Sequence, residues 1–460
     1  MRNLWMALSN SLIFWMAWIL IPFLMEIIPA LFGFFLLIKK RYFTKQTEIE
    51  VGRLPEITLI IPIYNSASTL YGCLQSVFES TYPNEKISIM LVNNKSQDNS
   101  FEIFTQCQKE MEELSMQWLN ARQGKSKALN MALFNAQGKY IIHIDSDGKL
   151  EPNALKNMVL RFEQNEDIHC MTGSILVEPD LIEDTDSFFM KLIRRCEFCE
   201  YGQAFLAGRN YESELDSVFT LSGAFSAFRK STILKTQLYN TDTVCEDTHV
   251  TFQVRKILKK KVHLCENALF FVDPIDDMNK MYTQRQRWQR GELEVMHMFL
   301  SKEMKVAKGF LSNFMVRLLI FDHTFAFPRM IWYFALICLV FLNYPMKLVV
   351  GSVLLIYLLY VFSSFLFYLN ILSYLREFKD IHRYYRGKWY ICLLMPLYNF
   401  LIFWIRFAGI INSINSSSAW KTRNFTQECQ CFRDIVKDDF LFIIKIVEKL
   451  RKVSNDETKD

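Results

Sequence analysis

Ionisable residues are so unevenly placed along this chain that they divide it into two kinds of material. Between Arg2 and Lys39 the single charged residue is Glu26, and residues 330–346, 348–375 and 389–405 contain no Asp, Glu, Lys or Arg. A helix of about 20 apolar residues crosses a bilayer, so these stretches are membrane candidates. Residues 43–310 are ordinary and polar by comparison. Of the 460 residues 51% are hydrophobic, with 40 Phe, 19 Tyr and 9 Trp, and the apolar excess lies towards the two ends. The expected architecture is an integral membrane protein with one large soluble domain inserted between hydrophobic segments. Its boundaries are read as an anchor over 1–42, the soluble domain over 43–300, interfacial and transmembrane helices over 301–415, and a tail over 416–460.

The first segment is too long for a signal peptide and lacks a small-residue cleavage site. Lys39, Lys40, Arg41 and Lys45 follow it, a cationic cluster that stays on the cytoplasmic side. It is read as a retained anchor, either one long helix with an interfacial extension or a tight hairpin broken near Pro22, Glu26 or Pro29. The eleven cysteines show no disulfide framework, which suits a reducing compartment. Cys196 and Cys199 form a CxxC and Cys429 and Cys431 a CxC, but neither has the partner pair that a four-ligand zinc site needs. A net charge of +5, spread along the chain, argues weakly for anionic lipid and gives no reason to expect nucleic acid.

Within the polar span, Ile57 to Pro62 is a continuous β-branched run, residues 67–80 carry Leu70, Leu74, Val77 and Phe78 at helical spacing, and Ile87 to Val92 is a second apolar run. Strand, helix and strand at these lengths make a βαβ unit with a parallel sheet. Tyr140 to Ile144 is a third strand, preceded by a helical segment near 125–136. In open α/β sheets, ligands sit beyond the carboxyl ends of the strands. Tyr64, Asn93 and Asp145 all fall at such ends, which points to one site.

Asp145-Ser146-Asp147 therefore reads either as a solvated turn or as a cation site. Carboxylates at the mouth of a parallel sheet suit Mg²⁺ or Mn²⁺, held together with substrate phosphates. Downstream, Glu246-Asp247 stands at the start of a helical pattern, where acids commonly serve as caps. In "MYTQRQRWQRGELEV", Arg285, Arg287 and Arg290 crowd around Trp288. That stretch reads as a basic amphipathic helix on the membrane surface, or as guanidinium groups that clamp phosphate beside an indole that stacks on a sugar.

Seven motifs stand in order: "IIPIYN" (60–65), "VNNKSQDNS" (92–100), "GKSKALN" (124–130), "DSD" (145–147), "SGAFSAFRK" (222–230), "ED" (246–247) and "QRQRW" (284–288). Together they resemble membrane-embedded family-2 glycosyltransferases, the group of hyaluronan, cellulose and poly-N-acetylglucosamine synthases, and within it bacterial members associated with exosortase-type systems. The resemblance covers residues 55–300. It implies an α/β GT-A, Rossmann-like fold and an inverting transfer from a UDP-sugar, assisted by Mg²⁺ or Mn²⁺. It also implies roles: Tyr64 on the uracil ring, Asn93, Lys125 and Asp145 on the donor, and Asp147 on the metal. Asp247 becomes the general base, with Glu246 as competitor, and Gln284, Arg287 and Trp288 stand beside the diphosphate and acceptor. Asn93-Asn94 replaces the acidic pair usual in the family, and Ser66 an acidic residue after Tyr-Asn.

The leading expectation is a processive polysaccharide synthase of the bacterial plasma membrane, with its catalytic domain cytoplasmic and its product translocated through its own helices. The alternatives are single-sugar transfer to a polyprenyl-phosphate or other lipid acceptor, and an inactive partner in a secretion or surface-anchoring system. Membrane lipids and accessory membrane proteins are the expected partners. In the second half, the chain enters the bilayer near Pro328 after Asp322 and His323, returns over 346–374, and carries five Lys or Arg over 376–388 as a cytoplasmic loop. Residues 389–412 are read as re-entrant or interfacial, Trp420 and Arg423 as an element following them, and 434–453 as an amphipathic surface helix.

Overall fold

A computed structural model describes residues 27–43, 53–304, 326–415 and 424–430, with Phe23 and Arg433 as isolated positions. Most of the anchor, Asp322, His323, Trp420, Arg423 and the 434–453 helix lie outside the described residues.

Eight strands build one sheet: β1 (Ile57–Ile63), β2 (Ile87–Asn93), β3 (Ser115–Asn120), β4 (Tyr140–Ile144), β5 (Gly148–Leu150), β6 (Cys170–Val177), β7 (Phe225–Arg229) and β8 (Val262–Val272). Their order is β3-β2-β1-β4-β7-β6-β8-β5. The first four are parallel. β7 runs antiparallel to β4 and β6, β6 and β8 are parallel, and β5 closes the edge antiparallel to β8. All seven residues of β1 are buried, as expected of a parallel strand covered on both faces.

Pro62 is an unusual residue for a central strand, because it cannot donate to the ladder. The pairing of β1 with β4 ends at Ile60↔His143. Pro62 lies past that point, where β1 keeps β2 as its neighbour and β4 has turned away. The sheet opens there, between Tyr64 and Asp145.

The helices are α1 (Ile28–Phe43), α2 (Leu70–Phe78), α3 (Ser100–Glu110), α4 (Lys125–Asn135), α5 (Ala154–Gln164), α6 (Phe188–Tyr201), α7 (Arg209–Glu214) and α8 (Glu246–Phe252). They continue with α9 (Met278–Met304), α10 (Ala326–Phe341), α11 (Met346–Tyr374), α12 (Lys379–Arg386) and α13 (Ile391–Asn415). A π-helical turn, Gly202–Gly208, joins α6 to α7. Among the described residues, two helical stretches, Met346–Glu377 and Ile391–Asn412, are long and apolar enough to cross a membrane.

One sequence expectation changes here. α13 runs through Pro396 as one helix, so 389–412 contains no re-entrant turn. The basic stretch 376–388, read as the connection between two apolar segments, carries the short helix α12. Pro396 stands inside α13, whose backbone ladder loses one donor there.

The apolar helices pack against helices that flank the sheet. α13 lies against α6, α9 and α11, and α1 against α11 and α7. Lys40 at the end of α1 donates to Asn210 Oδ1 at 2.8 Å and pairs with Glu214 at 2.9 Å and Glu266 at 3.1 Å. Arg41 pairs with Glu377 at 2.7 Å. Cys196 and Cys199 are buried thiols on α6, packed into the main core.

Candidate active site

The carboxyl ends of β1, β2 and β4 form the rim of the site. After β1, Tyr64 is 51% exposed, and Asn65 takes a left-handed conformation with φ 51°. Ser66 Oγ and Ser146 Oγ lie 2.7 Å apart, joining the β1 and β4 loops where the family's usual acid is missing. After β2, Asn93 and Asn94 spend their amide oxygens on the backbone: Asn93 Oδ1 accepts from Ser96 N at 2.8 Å, and Asn94 Oδ1 from Gly124 N at 2.5 Å.

Lys125, the first residue of α4, reaches across the rim. Its Nζ donates to Asp145 Oδ1 at 2.5 Å and to Gly223 O at 3.3 Å, and lies 3.7 Å from Glu246 Oε1. Burial opposes the lysine charge, but Asp145 and Glu246 outweigh it and hold the pKa above the ordinary value. Burial likewise pushes Asp145 upward, and Lys125 overrides it, so that carboxyl sits well below the usual carboxylate range. His143 Nε2 is 3.6 Å from Asp145, and burial keeps its imidazole below the ordinary histidine value.

Asp147 faces the opposite balance. Burial, reinforced by the charge of Asp145, pushes its carboxyl up to about 6. Lys125 is spent on Asp145, so Asp147 is where an added cation would relieve an electrostatic penalty. Among the described residues no three His, Cys, Asp or Glu side chains are grouped as a metal cage. A hard divalent ion held by one or two carboxylates plus phosphate oxygens fits that donor set.

Asp247 opens α8. Its Oδ2 accepts from Gly223 N at 3.0 Å and its Oδ1 from Thr248 N at 2.7 Å. A Cβ on Gly223 would lie 2.9 Å from Oδ2, so a larger residue there would require the carboxylate to shift. Glu246 turns instead towards Lys125, and burial raises its carboxyl above the ordinary value.

One cavity of about 770 Å³ gathers Lys125, Asp145, Asp147, Glu246, Asp247, Gln284, Arg287 and Trp288. Tyr64 and Asn93 are not among its lining residues. Beyond Trp288 the cavity runs past Gln203 and Phe205 of the π-helical turn to Ser364 and Asn370 on α11 and Asn399 and Arg406 on α13. The apolar side of α1, with Gly33 and Leu37, forms another wall.

Arg285 has a role that the sequence did not disclose. It is fully buried, pairs with Glu200 at 2.6 Å and Glu197 at 3.6 Å, and donates to Gln284 Oε1 at 2.9 Å. Tyr398 Oη on α13 donates to the same Glu200 oxygen at 2.7 Å. Glu197 and Glu200, two acids on an otherwise well-buried helix, were the available signal.

Residues 58–235 match the family model described as Glycosyl transferase family 2. This region is a family-2 glycosyltransferase domain. The poly-beta-1,6-N-acetyl-D-glucosamine synthase of Staphylococcus aureus (strain COL) is 25% identical over 252 residues, covering 55% of this chain and 58% of that protein. The synthase of the same name from Staphylococcus epidermidis (strain ATCC 35984) is 25% identical over 272 residues, covering 59% and 62%. The chain thus spans about three fifths of the curated relatives it matches. A mannosyltransferase from Pyrobaculum calidifontis, solved with GDP-Man and Mn²⁺, superposes with a TM-score of 0.53 at 17% identity, over 80% of this chain and 96% of that one. The shared fold is GT-A-like, with the family-2 domain built on the parallel half of the sheet and reaching β7.

Proposed function

We propose that the chain transfers a sugar, with inversion, from a UDP-sugar to a growing polysaccharide at the membrane. The observation that carries this reading is the single cavity joining Asp145, Asp147 and Asp247 to Trp288 and onward to polar side chains on α11 and α13. α11 and α13 cross the bilayer in this reading, with the catalytic domain on the cytoplasmic face of a bacterial plasma membrane. The successive translocation of product along them makes the enzyme processive.

Lys125 holds Asp145 ionised, and Asp145 positions the donor. Asp147 holds Mg²⁺ or Mn²⁺, which when bound neutralises charge on the diphosphate. The acceptor hydroxyl attacks the anomeric carbon opposite the diphosphate, and Asp247 takes its proton. The new C–O bond forms as the bond to phosphate breaks, and the nucleoside diphosphate leaves with the electron pair beside Arg287. Two backbone N–H groups orient Asp247, whereas Glu246 is engaged with Lys125, which favours Asp247 as the base. Trp288 offers its ring to the acceptor sugar, and Gln284 its amide.

The second reading is single-sugar transfer to a lipid-linked acceptor, favoured by the apolar wall that α1 gives the cavity. The product of the staphylococcal relatives makes UDP-N-acetylglucosamine the first donor to test. Inverted membrane vesicles containing the protein, given radiolabelled donor and Mn²⁺ or Mg²⁺, should make long polymer. A lipid-extractable product bearing one sugar selects the second reading, and no transfer from any UDP-sugar rejects both.

A further inference from the structure

His143 is a buried side chain that the proposed chemistry leaves unused. It lies on β4, level with Ile60 of β1 and Ser226 of β7. Every residue of β4 is buried, and a histidine there must find partners for two ring nitrogens. His143 is 2% exposed, yet its Nε2 has no hydrogen-bond partner among the described residues. An orphaned buried nitrogen is costly, and it calls for a state of the protein that satisfies it. The strand ladder continues one residue past β4, where Asp145 N donates to Ala224 O at 3.1 Å. Side chains two apart on a strand share a face, and His143 Nε2 lies 3.6 Å from Asp145 Oδ1. That separation is too long for a hydrogen bond. Lys125 Nζ holds the same oxygen at 2.5 Å, and Lys125 lines the cavity whereas His143 does not.

We propose that His143 is a positioning residue for Asp145, donating from Nε2 once Lys125 turns from that carboxylate to the diphosphate of a bound donor. The inference rests on the proposed donor site, in which Lys125 and Asp145 both meet the nucleotide-sugar. A diphosphate in the cavity competes with Asp145 for the lysine ammonium, since its oxygens carry more charge than one carboxylate. A buried carboxylate that loses its cation is heavily penalised, and the penalty would oppose donor binding. The imidazole removes that penalty without entering the cavity. A movement of about 0.5–1 Å brings Nε2 within hydrogen-bond range of Oδ1. The neighbouring carboxylate favours the tautomer that carries its proton on Nε2. Asp145 thus keeps a donor, and its place at the end of β4, while Lys125 serves the phosphates.

Leucine and glutamine at this position separate positioning from structure. His143→Leu keeps an apolar body of similar size and removes the unpaired nitrogen, so without nucleotide it should melt no lower than the parent. A hydrogen bond to a charged group is worth about tenfold or more in a binding constant. Calorimetry on the full-length protein in nanodiscs with Mn²⁺ should therefore find UDP bound about tenfold more weakly, or worse, by His143→Leu. His143→Gln carries an amide N–H to the place of Nε2 and should bind UDP within about threefold of the parent. Unchanged UDP affinity in His143→Leu overturns the inference and leaves the donor site standing. A loss of affinity that comes with a lower melting temperature, or that His143→Gln shares in full, makes the residue structural and also overturns it. Failure of the parent to bind UDP rejects the donor site itself.

Discussion

Arg285 sets its guanidinium carbon 4.4 Å from the centroid of Trp288 while pairing at 2.6 Å with Glu200. One buried cation therefore backs the ring proposed to meet the acceptor and, through Nη1, holds the carbonyl of Gln284. Because Tyr398 donates to the same Glu200 carboxylate, the wall of the site is latched to α13. Gln284, Arg287 and Trp288 line the cavity, while Arg285, one residue from Gln284, is turned away from it.

Replacement of Arg285 by Met should strip Glu200 and Glu197 of their cation. Leaving a buried charge unpaired costs about 3–5 kcal/mol, so Arg285→Met should melt well below the parent. Arg285→Lys keeps the charge and loses the planar fork. It should fold, bind nucleoside diphosphate within about threefold of the parent, and transfer sugar about tenfold more slowly. Melting curves and initial rates on the same preparations test both; full activity in Arg285→Lys would show that the fork is not needed.

Glu197 gives a pH dependence. It is 1% exposed, and burial, partly offset by Arg285, raises its carboxyl from 4.5 to about 7. The folded state binds this proton more tightly than the unfolded chain does. Its contribution to stability is therefore complete below about 4.5 and lost as pH rises through about 7. Glu197→Gln retains an oxygen for the Ile275 N–H and removes the titration. At pH 8 it should be the more stable protein by about 1–3 kcal/mol, while at pH 5 the two should melt together. A difference of the same size at both values would exclude Glu197 as its source.

These contacts mark where sequence reasoning stops. β1, β2 and β4 were legible because parallel strands covered on both faces read as unbroken apolar runs. β3, SMQWLN, alternates like a half-exposed strand, and β8 is interrupted by Glu266 and Asn267, where its register with β6 shifts; neither was read. Asp145 and Asp147 stand out by residue type at a strand end, whereas Asp247 at a helix start reads as a cap and acquires a role only through the family resemblance. Arg285 was not legible, since Glu200 is 85 residues away and Tyr398 a further 198 from Glu200. The spacing of "QRQRW" identifies which residues share a helix, but which of them turns inward depends on those distant partners.

Lys40 illustrates the same point at the other end. In the sequence it belongs to a cationic cluster that fixes orientation in the membrane, yet the structure spends it on Asn210, Glu214 and Glu266. Lys40→Met should leave the buried Glu266 with Arg161, at 3.5 Å, as its cation partner among the described residues. The expected loss is about 1–3 kcal/mol, seen as earlier proteolysis between α1 and the catalytic domain. Unchanged proteolysis would mean that apolar packing alone docks α1.

The placement of Asp247 can be tested without touching its carboxylate. Gly223 donates its N–H to Oδ2 at 3.0 Å, and a methyl group there would stand 2.9 Å from the same oxygen. Gly223→Ala must therefore shift the end of that side chain by a few tenths of an ångström, and misplacement of a reacting group should slow transfer by up to about 10²-fold. Asp247→Asn, which removes the base, should cost about 10²–10⁴-fold. Neither change should weaken nucleoside diphosphate binding more than about threefold, because Asp145 and Asp147 are the residues proposed to hold the donor. The double variant separates positioning from general damage. If Gly223 acts through Asp247, adding Gly223→Ala to Asp247→Asn should slow transfer no further. A further loss of about 10²-fold would show that the alanine harms the site by some other route.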